Sequence, residues 1–181
     1  YTVTYATVNF DDKKDENTEV KNTLDTTTLL VSKVWAGDTK YVALTRPASV
    51  TFTVEYKKAG EAETEWRPLP AKYCSANGIT PAADGKTQIV ISGTTAKATW
   101  SKTLSKLPYK DADGTQYQYR VTEASIKYAD GTVVNVTFDD EAVSPYDGWI
   151  AGPYDLDANP CTATFASNRY TVTATNTLRT G

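Results

Sequence analysis

Ser49-Val50-Thr51-Phe52-Thr53-Val54-Glu55-Tyr56 alternates polar and apolar side chains without a break, placing Val50, Phe52, Val54 and Tyr56 on one face. A period of two marks a half-buried β-strand, because successive side chains of an extended chain point to opposite sides. The same pattern continues outward from this stretch. Leu29-Leu30-Val31-Ser32-Lys33-Val34-Trp35 precedes it, and Gln88 to Ile91, Ala96 to Leu104, Gln116 to Ser125, Val133 to Phe138, Thr162 to Phe165 and Tyr170 to Asn176 follow. Turn signals stand between them at Asp84-Gly85, Asp113-Gly114, Asp130-Gly131 and Asp147-Gly148. No window combines an apolar helical period with caps. Many short strands with frequent turns predict an all-β fold, a sandwich or a barrel.

Composition narrows the function classes. At 181 residues the chain is long enough for one well-buried core, or for one domain plus a fragment of another. A net charge of −3 without a basic cluster argues against a nucleic-acid partner. No apolar run approaches the roughly 20 residues of a membrane span, so no membrane insertion is expected. The chain contains no histidine, which removes Ser-His-Asp and Cys-His catalysis and most zinc sites, and no cofactor is expected.

An internal echo organises the chain. Tyr1-Thr2-Val3-Thr4-Tyr5-Ala6-Thr7-Val8-Asn9-Phe10 resembles Tyr119-Arg120-Val121-Thr122-Glu123-Ala124-Ser125-Ile126-Lys127-Tyr128, and Val20-Lys21-Asn22-Thr23-Leu24 resembles Thr173-Ala174-Thr175-Asn176-Thr177-Leu178. Both pairs keep the same order. Residues 1–26 therefore read as the last strands of a preceding repeat or an additional hairpin, and 27–181 as one complete domain. So short a fragment cannot bury its own core and is expected to pair with something.

Lys33, Glu123 and Asn176 are the candidate chemical site. Lys33 shares its strand face with Val31 and Trp35, Glu123 follows Val121 by two, and Asn176 lies in the last strand. Buried alone, a lysine or a glutamate is costly. An apolar pocket depresses a lysine pKa and raises a glutamate pKa, leaving a nucleophilic amine beside a protonated carboxyl. Lys33 Nζ would then attack the Asn176 side-chain carbonyl, with Glu123 shuttling protons to the leaving ammonia. Such a reaction occurs once per molecule and is not enzymatic turnover.

The blocks Val31 to Trp35, Arg46 to Tyr56, Trp100 to Tyr109, Tyr117 to Glu123 and Tyr170 to Thr177 resemble, in order, the Cna protein B-type domain of Gram-positive surface adhesins and pilins. The resemblance implies an immunoglobulin-like (reverse-Ig) β-sandwich. Spacing alone does not single out Lys33, Glu123 and Asn176; the resemblance does, implying a Lys33–Asn176 isopeptide bond assisted by Glu123, and a stalk or spacer role in an extracellular, cell-wall-attached protein. Neighbouring repeats of the same chain are the implied partners. As the opening residues carry no signal peptide, such a protein would be longer than this chain.

Two stretches, about 58–86 and 139–168, depart from the compact family pattern as loop insertions and contain the two cysteines. In an exported protein Cys74 and Cys161 are expected to form a disulfide joining the insertions, the alternative being two free thiols. A different reading of the same loops is a ligand-binding adhesin. Trp66, Tyr73, Tyr146, Trp149 and Tyr154 would then contact a host extracellular matrix protein or glycan.

Overall fold

A computed structural model describes residues 2–5, 20–23, 25–139 and 148–179. Two face-packed sheets hold a single apolar core, so the chain is an all-β, immunoglobulin-like sandwich. In chain order its strands are β1 (Thr2–Tyr5), β2 (Val20–Thr23), β3 (Thr26–Ala36), β4 (Ser49–Lys58), β5 (Arg67–Pro68), β6 (Gln88–Ser92), β7 (Thr99–Pro108), β8 (Tyr117–Lys127), β9 (Val133–Asn135), β10 (Thr137–Phe138), β11 (Trp149–Ala151), β12 (Tyr154–Leu156), β13 (Cys161–Thr162), β14 (Thr164–Ala166) and β15 (Arg169–Leu178). One sheet runs β10-β11-β12-β15-β3-β7, with β14 also on β15. The other runs β13-β8-β4-β5, with β6 on β4 and β9 on β8.

The inward rows follow from the period of two. β3 buries Leu29, Val31, Lys33 and Trp35, β4 buries Val50, Phe52 and Val54, β8 buries Tyr119, Val121 and Glu123, and β15 buries Tyr170, Val172, Ala174 and Asn176. Each fully buried valine, leucine or phenylalanine contributes about 1.5–3 kcal/mol relative to exposure. Three of these four rows carry a residue with a charged or amide side chain, and those residues are Lys33, Glu123 and Asn176; β3 also buries the hydroxyl-bearing Thr27. β3 and β15 are parallel neighbours, so the domain's first and last long strands share a ladder from Leu29↔Tyr170 to Ala36↔Thr177.

Among the described residues two α-helical turns occur where none was expected, α1 (Val42–Thr45) and α2 (Ala71–Ala76), together with a 3-10 turn at Glu63–Glu65. Each is too short to display an apolar period, which explains their absence from a pattern-based reading. The insertion at 58–86 folds into that 3-10 turn, β5 and α2. The described part of the one at 139–168 supplies β11 to β14 to the sheets' edges. β1 and β2 pair antiparallel with each other from Thr2↔Thr23 to Tyr5↔Val20, as a sheet of their own. Their sequence counterparts in β8 and β15 lie in opposite sheets.

Candidate functional site

The three polar interruptions meet inside the sandwich. Lys33 and Asn176 are fully buried at 0% exposure, and Glu123 is 2% exposed. Lys33 stands opposite Ala174 and Asn176 opposite Trp35, which makes Lys33 and Asn176 diagonal neighbours on one inward face. Glu123 reaches them from the opposing sheet. Lys33 Nζ donates to Glu123 Oε2 at 2.8 Å, and Asn176 Nδ2 donates to Glu123 Oε1 at 2.8 Å. One carboxylate therefore bridges both groups. Asn176 Oδ1 is buried with no hydrogen-bond partner among the described residues. An unsatisfied buried carbonyl costs about 1–3 kcal/mol, so the amide is held in a state it would gain by leaving.

Burial drives the Lys33 pKa below its ordinary value, against the opposing pull of the Glu123 carboxylate. The ammonium lies over the Trp35 ring, 4.6 Å from its centroid. Trp35 is walled in turn by Trp100 and Tyr154, with centroids at 5.2 and 5.0 Å. Tyr154 is fixed from behind: its hydroxyl donates to Asp38 Oδ2 at 2.9 Å, and Arg46 Nε donates to the same oxygen at 2.9 Å while its Nη2 takes Asp38 Oδ1. This aromatic wall and its buried ion pair keep water from the amine.

Glu123 is held through its main chain. A β-bulge between Thr51 and Phe52 of β4 leaves Ala124 unpaired on β8, so Glu123 is the last inward residue before the strand changes phase. On the other edge, Asn159 Oδ1 accepts from the Glu123 N–H at 2.8 Å and Asn159 Nδ2 donates to the Glu123 carbonyl at 3.1 Å. Sequence reasoning passed over Asn159, Asp38 and Arg46 as site residues, because polar residues between strands ordinarily face water.

The expected disulfide does not form: Cys74 and Cys161 are both free thiols. Cys74 sits buried on α2, which packs on β7, and its Sγ donates to the Leu69 carbonyl at 3.5 Å. Cys161 lies on β13 beside β8, at an edge of the other sheet, and donates to the Ala158 carbonyl at 3.3 Å. Desolvation raises the pKa of the Cys161 thiol. The two insertions lead to different edges of the sandwich, which keeps the sulfurs apart.

Of the five aromatic residues read as a ligand face, the four described are dispersed. Trp66 is wedged between Lys57 and Arg120, at 5.1 and 4.6 Å from its centroid, on the sheet containing β4 and β8. Tyr73 helps line a cavity of about 120 Å³ with Tyr56, Tyr117 and Tyr119. Trp149 packs edge-on against Phe138 at the margin of the other sheet. Tyr154 is fully buried, which takes it off any exposed surface. Tyr146 lies outside the described residues. Among the described residues no His, Cys, Asp and Glu side chains group as a metal site, and no helix is long and apolar enough to cross a membrane.

The stretch from α2 to beyond β10 carries a recognisable family signature. Residues 75–144 match the Cna protein B-type domain. The match takes in β6 to β10 and with them Glu123, while Lys33 and Asn176 lie outside it. No curated protein matches the chain. Two solved structures of the pilus-presented adhesin Spy0125 (Cpa) are similar to it at 17% identity. The first, a cysteine-to-alanine mutant, aligns over 86% of this chain and 28% of its own with a TM-score of 0.38. The second, another crystal form, aligns over 84% and 27% with a TM-score of 0.34. This chain thus spans under a third of either adhesin chain.

Proposed function

We propose that this chain is a stalk or spacer domain of a Gram-positive cell-surface adhesin or pilin, closed by an autocatalytic isopeptide bond between Lys33 and Asn176. The observation that carries the reading is the Glu123 carboxylate, hydrogen-bonded to the amine with one oxygen and to the amide with the other. The Cna protein B-type match over 75–144 supports the stalk role. Neighbouring domains of the same cell-wall-attached protein are the partners this role implies. The dispersal of the loop aromatics gives the adhesin-ligand reading no comparable support.

The chemistry uses only groups at the site. Lys33 passes one ammonium proton to Glu123 Oε2, becoming a neutral amine while Glu123 becomes a carboxylic acid. Rotation of the Asn176 amide brings Oδ1 to Glu123, whose O–H then polarises the carbonyl. Lys33 Nζ adds to Asn176 Cγ, Glu123 protonates the departing nitrogen and takes a proton from the attacking one. A C–N bond forms, a C–N bond breaks, and ammonia leaves. Folding supplies the effective concentration, worth about 7–11 kcal/mol in well-oriented intramolecular reactions.

Intact mass spectrometry tests this directly. The wild-type chain is expected to fall short of its sequence mass by one ammonia, with the full mass restored in Lys33→Ala and Glu123→Ala. A folded wild-type chain at full sequence mass would overturn the proposal.

A further inference from the structure

The outer edge of β8 is closed piecemeal. Ala163 N–H bonds the Tyr119 carbonyl, β13 pairs with Arg120 and Val121, Val136 N–H bonds the Ala124 carbonyl, and β9 pairs with Ser125 to Lys127. At Glu123 no strand residue among the described residues completes the ladder on this side. The amide side chain of Asn159 takes that place, accepting from the Glu123 N–H and donating to its carbonyl. Asn159 is 7% exposed, so water does not compete effectively for those two groups. A primary amide presents an acceptor and a donor side by side on one planar group, as a neighbouring strand does.

The location matters because Glu123 adjoins the bulge. A bulge loosens a ladder locally and leaves the direction of nearby side chains to other contacts. With Ala124 unpaired on the β4 side, Asn159 is what fixes the Glu123 main chain on the opposite side. The carboxylate at the end of that side chain must meet Lys33 and Asn176 together, at 2.8 Å each.

We infer that Asn159 is a positioning residue for the isopeptide reaction, acting through the Glu123 main chain. The inference rests on the proposed Lys33–Asn176 chemistry. The residue comes from the second insertion, so this chain closes its own site with a segment outside the compact domain pattern.

A matched control exists in the same molecule. Asn77 makes the same two-point contact with Ser105 on β7, its Nδ2 donating to the carbonyl at 2.9 Å and its Oδ1 accepting from the N–H at 2.7 Å. Ser105 lies five residues along β7 from Trp100, the partner of Lys33, or roughly 16 Å at strand spacing. Asn77→Ala therefore removes a two-point edge contact far from the site, more exposed than the one at Glu123, together with a 2.9 Å bond from Nδ2 to the Tyr73 carbonyl.

The experiment refolds full-length wild type, Asn77→Ala, Asn159→Ala and Asn159→Asp from denaturant. Ammonia loss is followed by intact mass over time, and recovery of native β-structure by circular dichroism in the same samples. Asn159→Ala is expected to lose ammonia about 100-fold more slowly than wild type once folded, the scale of a misplacement near 1 Å. Asn77→Ala is expected to react at the wild-type rate. Asn159→Asp keeps the volume and the acceptor but not the amide donor, and is expected to be slowed as well. It also serves should the alanine variant fail to fold. Folded Asn159 variants reacting at the wild-type rate, or equal slowing in Asn77→Ala, would overturn the positioning role alone. A folded wild type that never loses ammonia would instead remove the underlying chemistry, and this inference with it.

Discussion

Lys33 stands across the parallel ladder from Ala174, not from Asn176. The amine must cross two residues of β15 to reach its amide, a diagonal of roughly 8 Å between Cα atoms at ordinary sheet spacing. The residue directly opposite Lys33 is a buried alanine, 3% exposed, whose small side chain leaves room for the lysine stem to lean toward Asn176. Ala174→Leu is therefore expected to leave the chain at its full sequence mass. Overpacking should also lower stability by about 1–3 kcal/mol, measurable by denaturant unfolding.

The lowered Lys33 pKa sets a pH dependence for chains that cannot react, such as Asn176→Ala. Desolvation lowers this pKa from 10.5, with Glu123 opposing. The unfolded chain then binds more protons than the folded one between the two pKa values, so stability rises with pH through that window. Above about 10 the trend should turn. Burial raises the Tyr119 and Tyr154 pKa values above their ordinary 10.0, and the stability this confers is lost as pH rises further. Unfolding curves of Asn176→Ala across neutral to alkaline pH should show the rise, and Lys33→Met in that background should abolish it.

Asp38 is 1% exposed and Arg46 8%, and their ion pair anchors Tyr154 against Trp35. Removing one partner strands the other charge. Asp38→Ala is expected to destabilise the domain by about 3 kcal/mol. With Tyr154 released from the Trp35 wall, water should also reach the amine and slow ammonia loss. Thermal unfolding and the refolding mass assay read the two effects separately.

Gly93 leaves no room for a side chain. A Cβ there would fall 2.1 Å from the Trp100 ring, whose Nε1 is tied to the Lys97 carbonyl at 2.9 Å. Gly93→Ala must push that ring toward Trp35 or bend the strand end. A loss of about 1–3 kcal/mol is expected, with a changed tryptophan near-ultraviolet circular dichroism signal as its signature.

The free thiols predict that reducing agent will change neither mass nor melting temperature. Under native conditions an alkylating reagent should label the half-buried Cys161 ahead of the buried Cys74, and both should label once the chain is unfolded. Peptide mapping after brief exposure checks the order.

Much of the sandwich was legible because its main rows obey a strict period of two. Val50, Phe52 and Val54 announce a buried face, whereas Lys33, Glu123 and Asn176 are singled out together by the resemblance to the Cna protein B-type domain and not by their spacing. Other features depend on neighbours that no local pattern names. Tyr154 read as a loop aromatic because its strand is three residues long, yet alternation within β12 buries it. The spacing of Cys74 and Cys161 says nothing about which sheet edge each will join. Asn159 is an ordinary loop residue until the gap it fills beside Glu123 is known.

The shared ladder of β3 and β15 determines how the domain meets a pull. Force entering β3 from its N-terminal side and leaving β15 from its C-terminal side acts along both strands in opposite directions. Eight register pairs then bear load at once, in shear, and cannot open in succession like a zipper. A covalent tie between Lys33 and Asn176 would sit inside that loaded ladder, so the strands could not slide past each other even after every hydrogen bond had failed.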